Sequence, residues 1–226
     1  SAAPAEQGGG LPPLKGHIMT SIPDILAIGP VMPVIVIDDS SKAVPLAQAL
    51  IDGGIRTIEI TLRTPAALES IRAVADACPD ILIGAGTVTN AALATSARDA
   101  GARFLVSPGT TDSVIKGAAD AGLPLLPGAA SVSEIMHLMD AGFSAIKFFP
   151  AAAAGGPSFV KSLASPLAGL QVCPTGGISL DTALDWLSLP NVPCVGGSWI
   201  APQTMINAGD FRTITANARA AVALAD

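Results

Sequence analysis

The chain has no tyrosine, and aromatic residues make up only 4% of its 226 residues. Its core must therefore be filled by aliphatic side chains rather than by rings. Basic residues are also few. Twelve Lys and Arg against eighteen Asp and Glu give a formal charge of −6, with no basic cluster. That balance argues against a nucleic-acid binder. No apolar run reaches the roughly 18 residues of a membrane span, so no membrane partner is expected. Cysteine is scarce: Cys78, Cys173 and Cys194 form an odd, widely spaced set without a CxxC. Such spacing suggests no metal site, and the three read as reduced thiols of a cytoplasmic protein. Cys173 and Cys194 sit in apolar runs, where a thiol serves as a small buried hydrophobe.

The segment 1–17 differs from the rest. It holds Ala3-Pro4, Gly8-Gly9-Gly10 and Pro12-Pro13, with no charged end ahead of an apolar stretch. It reads as a disordered linker or expression remnant rather than a secretory signal, with Met19 a candidate natural start. Residues 18–226 read as one domain.

What is abundant is Ala, Val, Ile, Leu and Gly; half the residues are apolar. Short apolar runs recur at Val31–Ile37, Thr57–Leu62, Ile81–Thr87, Phe104–Pro108, Leu123–Gly128, Ala145–Pro150, Leu170–Thr175 and Cys194–Ile200. Most are followed by Ala-rich stretches with helical periodicity: Pro45–Asp52, one opening at Thr64-Pro65, Asn90–Ala100, Thr111–Ala121, Ser131–Ala141, Ser179–Leu187 and Asp210–Leu224. Ser131-Val132-Ser133-Glu134 has the form of a capping box, and Gly101, Gly122 and Gly142 suit helix ends. Ser21–Ile28 reads as an extra helix before the first strand. Alternating strands and helices imply a parallel sheet with right-handed crossovers. Eight such units favour a closed α/β barrel, the (β/α)8 fold. A doubly wound open sheet is the alternative, but no GxGxxG follows the first strand. In such barrels the carboxyl ends of the strands build the active site.

Lys147 lies in Ala145-Ile146-Lys147-Phe148-Phe149-Pro150, an otherwise apolar strand. Alternation puts Ala145, Lys147 and Phe149 on one face. If that face is the interior, a lone buried cation is costly, and the neutral amine is a nucleophile toward carbonyls. The competing explanation is a Lys at the strand rim, snorkelling or ion-paired. Glu59 repeats the anomaly between Ile58 and Ile60. It either satisfies Lys147 or Arg63 as a counter-charge or moves protons for imine chemistry. Arg63, four residues on, suits a carboxylate. Thr87 ends Gly84-Ala85-Gly86-Thr87 and can add a hydroxyl. Gly176-Gly177 and Gly196-Gly197-Ser198 end the last two runs, the usual place for a barrel phosphate site.

Together these segments closely resemble the 2-keto-3-deoxy-6-phosphogluconate aldolase family, over roughly Ile22 to Leu224. The resemblance rests on Glu59-Ile60-Thr61-Leu62-Arg63-Thr64, Gly84-Ala85-Gly86-Thr87-Val88, Ser107-Pro108-Gly109, Lys147-Phe148-Phe149-Pro150, Cys173-Pro174-Thr175-Gly176-Gly177-Ile178 and Gly196-Gly197-Ser198-Trp199. It implies a class I lyase of the Entner–Doudoroff pathway, typically a homotrimer, with no cofactor or metal. It implies a Schiff base on Lys147, proton shuttling by Glu59, and carboxylate binding by Arg63 and Thr87. Pro108, Phe149 and Thr175 would line the pyruvyl pocket. Gly176, Gly177, Gly197 and Ser198 would hold the phosphate of a phosphorylated 2-keto acid. One departure is Ala152, where relatives often carry Glu; it puts substrate preference in question. Two alternatives remain open: 4-hydroxy-2-oxoglutarate cleavage with oxaloacetate decarboxylation as a side activity, or a non-catalytic barrel that binds a phosphorylated metabolite.

Overall fold

The computed structural model describes residues 21–225; the segment 1–17, read as a linker or remnant, lies outside the described residues. The strands are β1 (Val31–Ile35), β2 (Thr57–Thr61), β3 (Leu82–Gly86), β4 (Phe104–Val106), β5 (Leu125–Leu126), β6 (Gly128–Ala129), β7 (Ala145–Phe148), β8 (Gln171–Pro174) and β9 (Val195–Gly197). The helices are α1 (Ile22–Leu26), α2 (Ala43–Asp52), α3 (Ala67–Ala77), α4 (Ala91–Asp99), α5 (Asp112–Ala121), α6 (Val132–Asp140), α7 (Gly156–Leu163), α8 (Ala183–Leu187), α9 (Gln203–Ala208) and α10 (Phe211–Val222). Every strand pairing is parallel. This is an α/β fold, and its strands are buried on both faces because helices cover one of them. β1 and β2 are buried at every position.

The run Leu123–Gly128 differs from expectation. It yields two short strands instead of one, because Pro127 between them has no N–H for a ladder. The strands then form a six-membered sheet, β5-β4-β3-β2-β1-β9, and a three-membered sheet, β6-β7-β8. Thr175 pairs in parallel with Gly196 between β8 and β9. The Lys147 N–H donates to the Pro127 carbonyl at 2.8 Å.

Two helices, α7 and α9, lie outside the helical stretches expected from the sequence. α7 follows a Gly-rich loop and starts at Gly156-Pro157, and α9 has only six residues. α3 begins at Ala67 rather than at Thr64-Pro65, and the Thr64 hydroxyl donates to the Ile37 carbonyl instead of capping it. The capping box at Ser131 and Glu134 is present as expected, and Gly122 closes α5 in the left-handed region at φ 68°.

Two apolar clusters follow from this layering. The larger lies between strands and helices and draws on residues such as Leu46, Ile58, Ile71 and Ala94. The smaller gathers Met32, Phe104, Leu126, Ala145, Cys173 and Cys194 with Ile22, Ile25 and Leu26 of α1. Met32, Ala145 and Cys173 each precede by two a residue of the site described below. Strand alternation therefore stacks that site directly on this apolar layer. Burying each large aliphatic side chain of α1 contributes roughly 1.5–3 kcal/mol. Within the layer, a hydrogen bond to Cys173, and then burial, push the Cys194 thiol well above its ordinary value. The three cysteines are free and buried.

Candidate active site

Lys147 on β7 and Glu59 on β2 meet across the interior. Nζ lies 3.2 Å from Oε1 and 3.4 Å from Oε2. Glu59 is 2% exposed and Lys147 3%. The buried cation is thus paired, with Glu59 as the counter-charge of Lys147 rather than of Arg63, and each buried charge offsets the desolvation of the other. Nζ also stands 5.6 Å from the centre of the Phe149 ring, whose face attracts cations. Glu59 fits because its neighbour on β3 carries no side chain. A Cβ on Gly86 would overlap the Glu59 carboxylate.

Arg63 follows β2 by two positions. Its Nε donates to the Thr87 hydroxyl at 3.0 Å. Thr87 has φ +60°, and among the described residues it is the only non-glycine with positive φ. A β-branched residue in that region is strained, and strain of this kind collects at functional sites. Gly176 and Gly177 have φ 102° and 75°, conformations that cost glycine little.

A cavity of about 150 Å³ opens at the carboxyl ends of the strands. Of the residues singled out from the sequence, Arg63, Lys147, Phe149, Thr175, Gly176, Gly177 and Ser198 line it. Glu59 reaches it through Lys147, and Thr87 through Arg63. Pro108 and Gly197 are not among its walls. The Pro108 backbone presses on Gly128, and Gly197 leaves room for the Trp199 ring. Gly196, named with its glycine cluster, also lines it, and sequence reasoning gave no role to Val34, Val36 and Ile178, which complete the lining. Nothing in the sequence separates Val34 and Val36 from the aliphatic residues that fill the core. Gly196 leaves space for the Thr175 hydroxyl, which a Cβ there would overlap.

One expectation needs correction. The helical stretch expected from Ser179, directly after Gly176-Gly177, does not start there. α8 starts only at Ala183 and α9 at Gln203. Among the described residues, no group of three or more His, Cys, Asp or Glu could hold a metal ion, and no helix is long and apolar enough to cross a membrane.

Two larger depressions lie at the amino ends of the strands. One, of about 460 Å³, is bounded by Pro30, Arg56 and Pro193; the other, of about 520 Å³, by Leu82, Arg98 and Arg103. Neither is lined by a buried ion pair.

The family model for KDPG and KHG aldolase matches residues 22–217. A 2-dehydro-3-deoxy-phosphogluconate aldolase of Pseudoalteromonas atlantica is 50% identical over 200 residues, 88% of this chain and 93% of that protein. The KHG/KDPG aldolase of Escherichia coli is 46% identical over 203 residues, 90% of this chain and 95% of that protein. The crystal structure of the KDPG aldolase from Legionella pneumophila, with pyruvate captured as a covalent carbinolamine, superposes with a TM-score of 0.85 at 44% identity, covering 88% of this chain and 96% of that one. With its buried Lys–Glu pair and the glycine loops beside it, the chain belongs to the KDPG and KHG aldolase family.

Proposed function

We propose that this chain is a lyase that cleaves 2-keto-3-deoxy-6-phosphogluconate to pyruvate and glyceraldehyde 3-phosphate through a Schiff base on Lys147. The observation that carries this is the buried Lys147–Glu59 pair, whose amine opens into a cavity shared with Arg63. The Legionella relative that holds pyruvate as a carbinolamine supports the covalent step.

In this mechanism the Lys147 amine attacks the keto carbon, and loss of water gives a protonated imine. The imine is the electron sink, so no metal or cofactor is needed. A proton leaves the hydroxyl at carbon 4 toward Glu59 as the bond between carbons 3 and 4 breaks, releasing the aldehyde and leaving an enamine. Glu59 returns a proton to carbon 3, and water releases pyruvate. The Nε of Arg63 is engaged by Thr87, so the outer edge of the guanidinium takes the substrate carboxylate. Thr175 and Phe149 flank the pyruvyl end. Gly176, Gly177 and Ser198 hold the phosphate at the other end, so the scissile bond is fixed from both sides. Pro108 and Gly197 shape these walls from outside the cavity, through Gly128 and Trp199.

We also read the two sheets as one closed eight-unit barrel, with β5 and β6 a single strand interrupted at Pro127. The Thr175–Gly196 bridge and the Lys147 N–H to Pro127 bond support this closure. A homotrimer acting in the cytoplasm completes the proposal. The exposed apolar side chains Met136 and Leu184 are surface that such an assembly would cover.

Borohydride reduction in the presence of pyruvate tests the core of this reading. A mass adduct on Lys147 is expected, and its absence would overturn the Schiff-base assignment. A second substrate, unphosphorylated 4-hydroxy-2-oxoglutarate, is favoured by the name of the Escherichia coli relative, a KHG/KDPG aldolase. Ser198→Asp separates the two: it should impair cleavage of the phosphorylated substrate far more than that of the unphosphorylated one. Equal loss on both would refute the phosphate site.

A further inference from the structure

The break at Pro127 leaves Gly128 without a strand partner on the β4 side, and two hydroxyls take the place of that ladder. The Gly128 N–H donates to Ser107 Oγ at 3.1 Å. Ser107 Oγ and Thr110 Oγ1 are 3.0 Å apart. Thr110 Oγ1 donates to the Gly128 carbonyl at 3.0 Å. The directions are mutually consistent only if Ser107 donates to Thr110. Each hydroxyl then donates once and accepts once, and the ring closes on both backbone groups of one glycine. Ser107 is fully buried, and the Pro108 carbonyl sits where a Cβ of residue 128 would go. Gly128 is therefore pressed and bonded from the same side.

On its other side Gly128 faces Lys147, its register partner on β7. The bonds that fix β7 at this level flank it. The Lys147 N–H donates to Pro127 at 2.8 Å, and the Phe149 N–H donates to Ala129 at 3.2 Å. The backbone carrying both the amine and the ring beside it is held on one side by β8, in register from Ala145 to Phe148, and on the other by residues 127 to 129. On the β4 side those three are tied by the Ser107–Thr110 ring, next to the backbone bond from the Ser107 N–H to the carbonyl of the preceding Leu126.

We propose that Ser107 and Thr110 are positioning residues for Lys147: their hydroxyl ring substitutes for the strand ladder that Pro127 interrupts and sets the height of the amine opposite Glu59. The inference rests on Lys147 being the nucleophile. A displacement of about 1 Å in such a group can cost on the order of 100-fold in rate.

The test uses the full chain and pyruvate. Thr110→Val keeps the shape and removes the donor, and Thr110→Ser restores it. Thr110→Val is expected to slow borohydride trapping on Lys147 and lower kcat by roughly ten-fold, with KM changed by less than about two-fold. Thr110→Ser should recover to within about two-fold of the unmodified chain on both readouts. Ser107→Ala should act like Thr110→Val. Thr110 is only partly buried, so its variants decide the matter if Ser107→Ala does not fold. A Thr110→Val protein that melts earlier yet traps pyruvate at the full rate has lost stability alone, and that result overturns the inference. Equal loss in Thr110→Ser and Thr110→Val overturns it too. If the unmodified chain gives no Lys147 adduct, the Schiff-base reading falls and this inference falls with it. An adduct on the unmodified chain with undiminished trapping in Thr110→Val removes this inference alone.

Discussion

The two ends of the strands make opposite use of space and charge. At the carboxyl ends about 150 Å³ is enclosed, and a Lys and a Glu are both buried beside it. At the amino ends about 460 and 520 Å³ open, and the charged groups there are arginines bonded to backbone, to an exposed carboxylate, as Arg98 is to Asp99, or to nothing but solvent. Arg56, for instance, donates to the Ile51 carbonyl at 3.2 Å. Volume alone therefore points to the wrong end of the molecule. A desolvated ion pair is costly to assemble, so its presence is the better marker of chemistry.

The sharpest way to break this contrast is Lys147→Met. It should lower turnover by about 10⁴-fold or more, the scale of losing a nucleophile, and strand the Glu59 charge. Glu59→Gln should follow at about 10²-fold or more, the range of general acid–base catalysis. Steady-state cleavage assays read both, and near-normal turnover in either would end the claim that the pair is catalytic.

Gly86→Ala probes the space at the same end. Its new methyl collides with the Glu59 carboxylate. We expect destabilisation of about 1–3 kcal/mol by chemical denaturation, together with reduced turnover. The same change in stability with no effect on turnover would show that the carboxylate position is not critical.

The capping box tests whether the site end is also sensitive to acid. Glu134 accepts from the Ala130 and Ser131 N–H groups at 2.9 and 2.8 Å, tying α6 to the end of β6. The Ala130 bond, then the Ser131 side chain, hold its carboxyl below the usual range. A depressed folded-state value means that the stabilisation is present above the unfolded value and lost as pH falls through the folded one. Glu134→Gln should therefore lower stability by a constant amount at neutral and alkaline pH and flatten its further loss below about pH 4. Ser131→Ala should cost about 1 kcal/mol in denaturant melts. An unchanged acid limb in Glu134→Gln would remove the box from the pH response.

The smallest effect belongs to the other end. Arg56→Ala should leave turnover within about two-fold, as for most substitutions outside such features. A loss comparable to that of Glu59→Gln would mean that the two ends are not functionally distinct.

Much of the site was legible because charge in an apolar strand is conspicuous. Lys147 and Glu59 stand out from the residues beside them. Their meeting at 3.2 Å does not follow from position alone, since 88 residues separate them and only the parallel arrangement brings β2 opposite β7. Val34 and Val36 were invisible for the converse reason: an aliphatic side chain that lines a cavity reads like one that fills a core. The left-handed Thr87 was hidden too, since nothing in its residue type predicts φ +60°. The repeating strand and helix order was plain from apolar runs and Ala-rich stretches. Pro127 within one of those runs was the sign that the strand divides, and its weight became clear only with the hydroxyls that splice it.

The glycines of the interior belong to matched couples. The vacancy at Gly84 holds the Phe104 ring, that at Gly86 holds Glu59, that at Gly196 holds Thr175, and that at Gly197 holds Trp199. In each couple one member is missing a side chain because the other overfills its own place. Neither can change freely while its mate stays fixed. Sequence drift in such an interior should proceed by joint replacement, in which a gain of carbon at one position is matched by a loss at its mate. An interior built this way keeps its volume constant while its residues trade places.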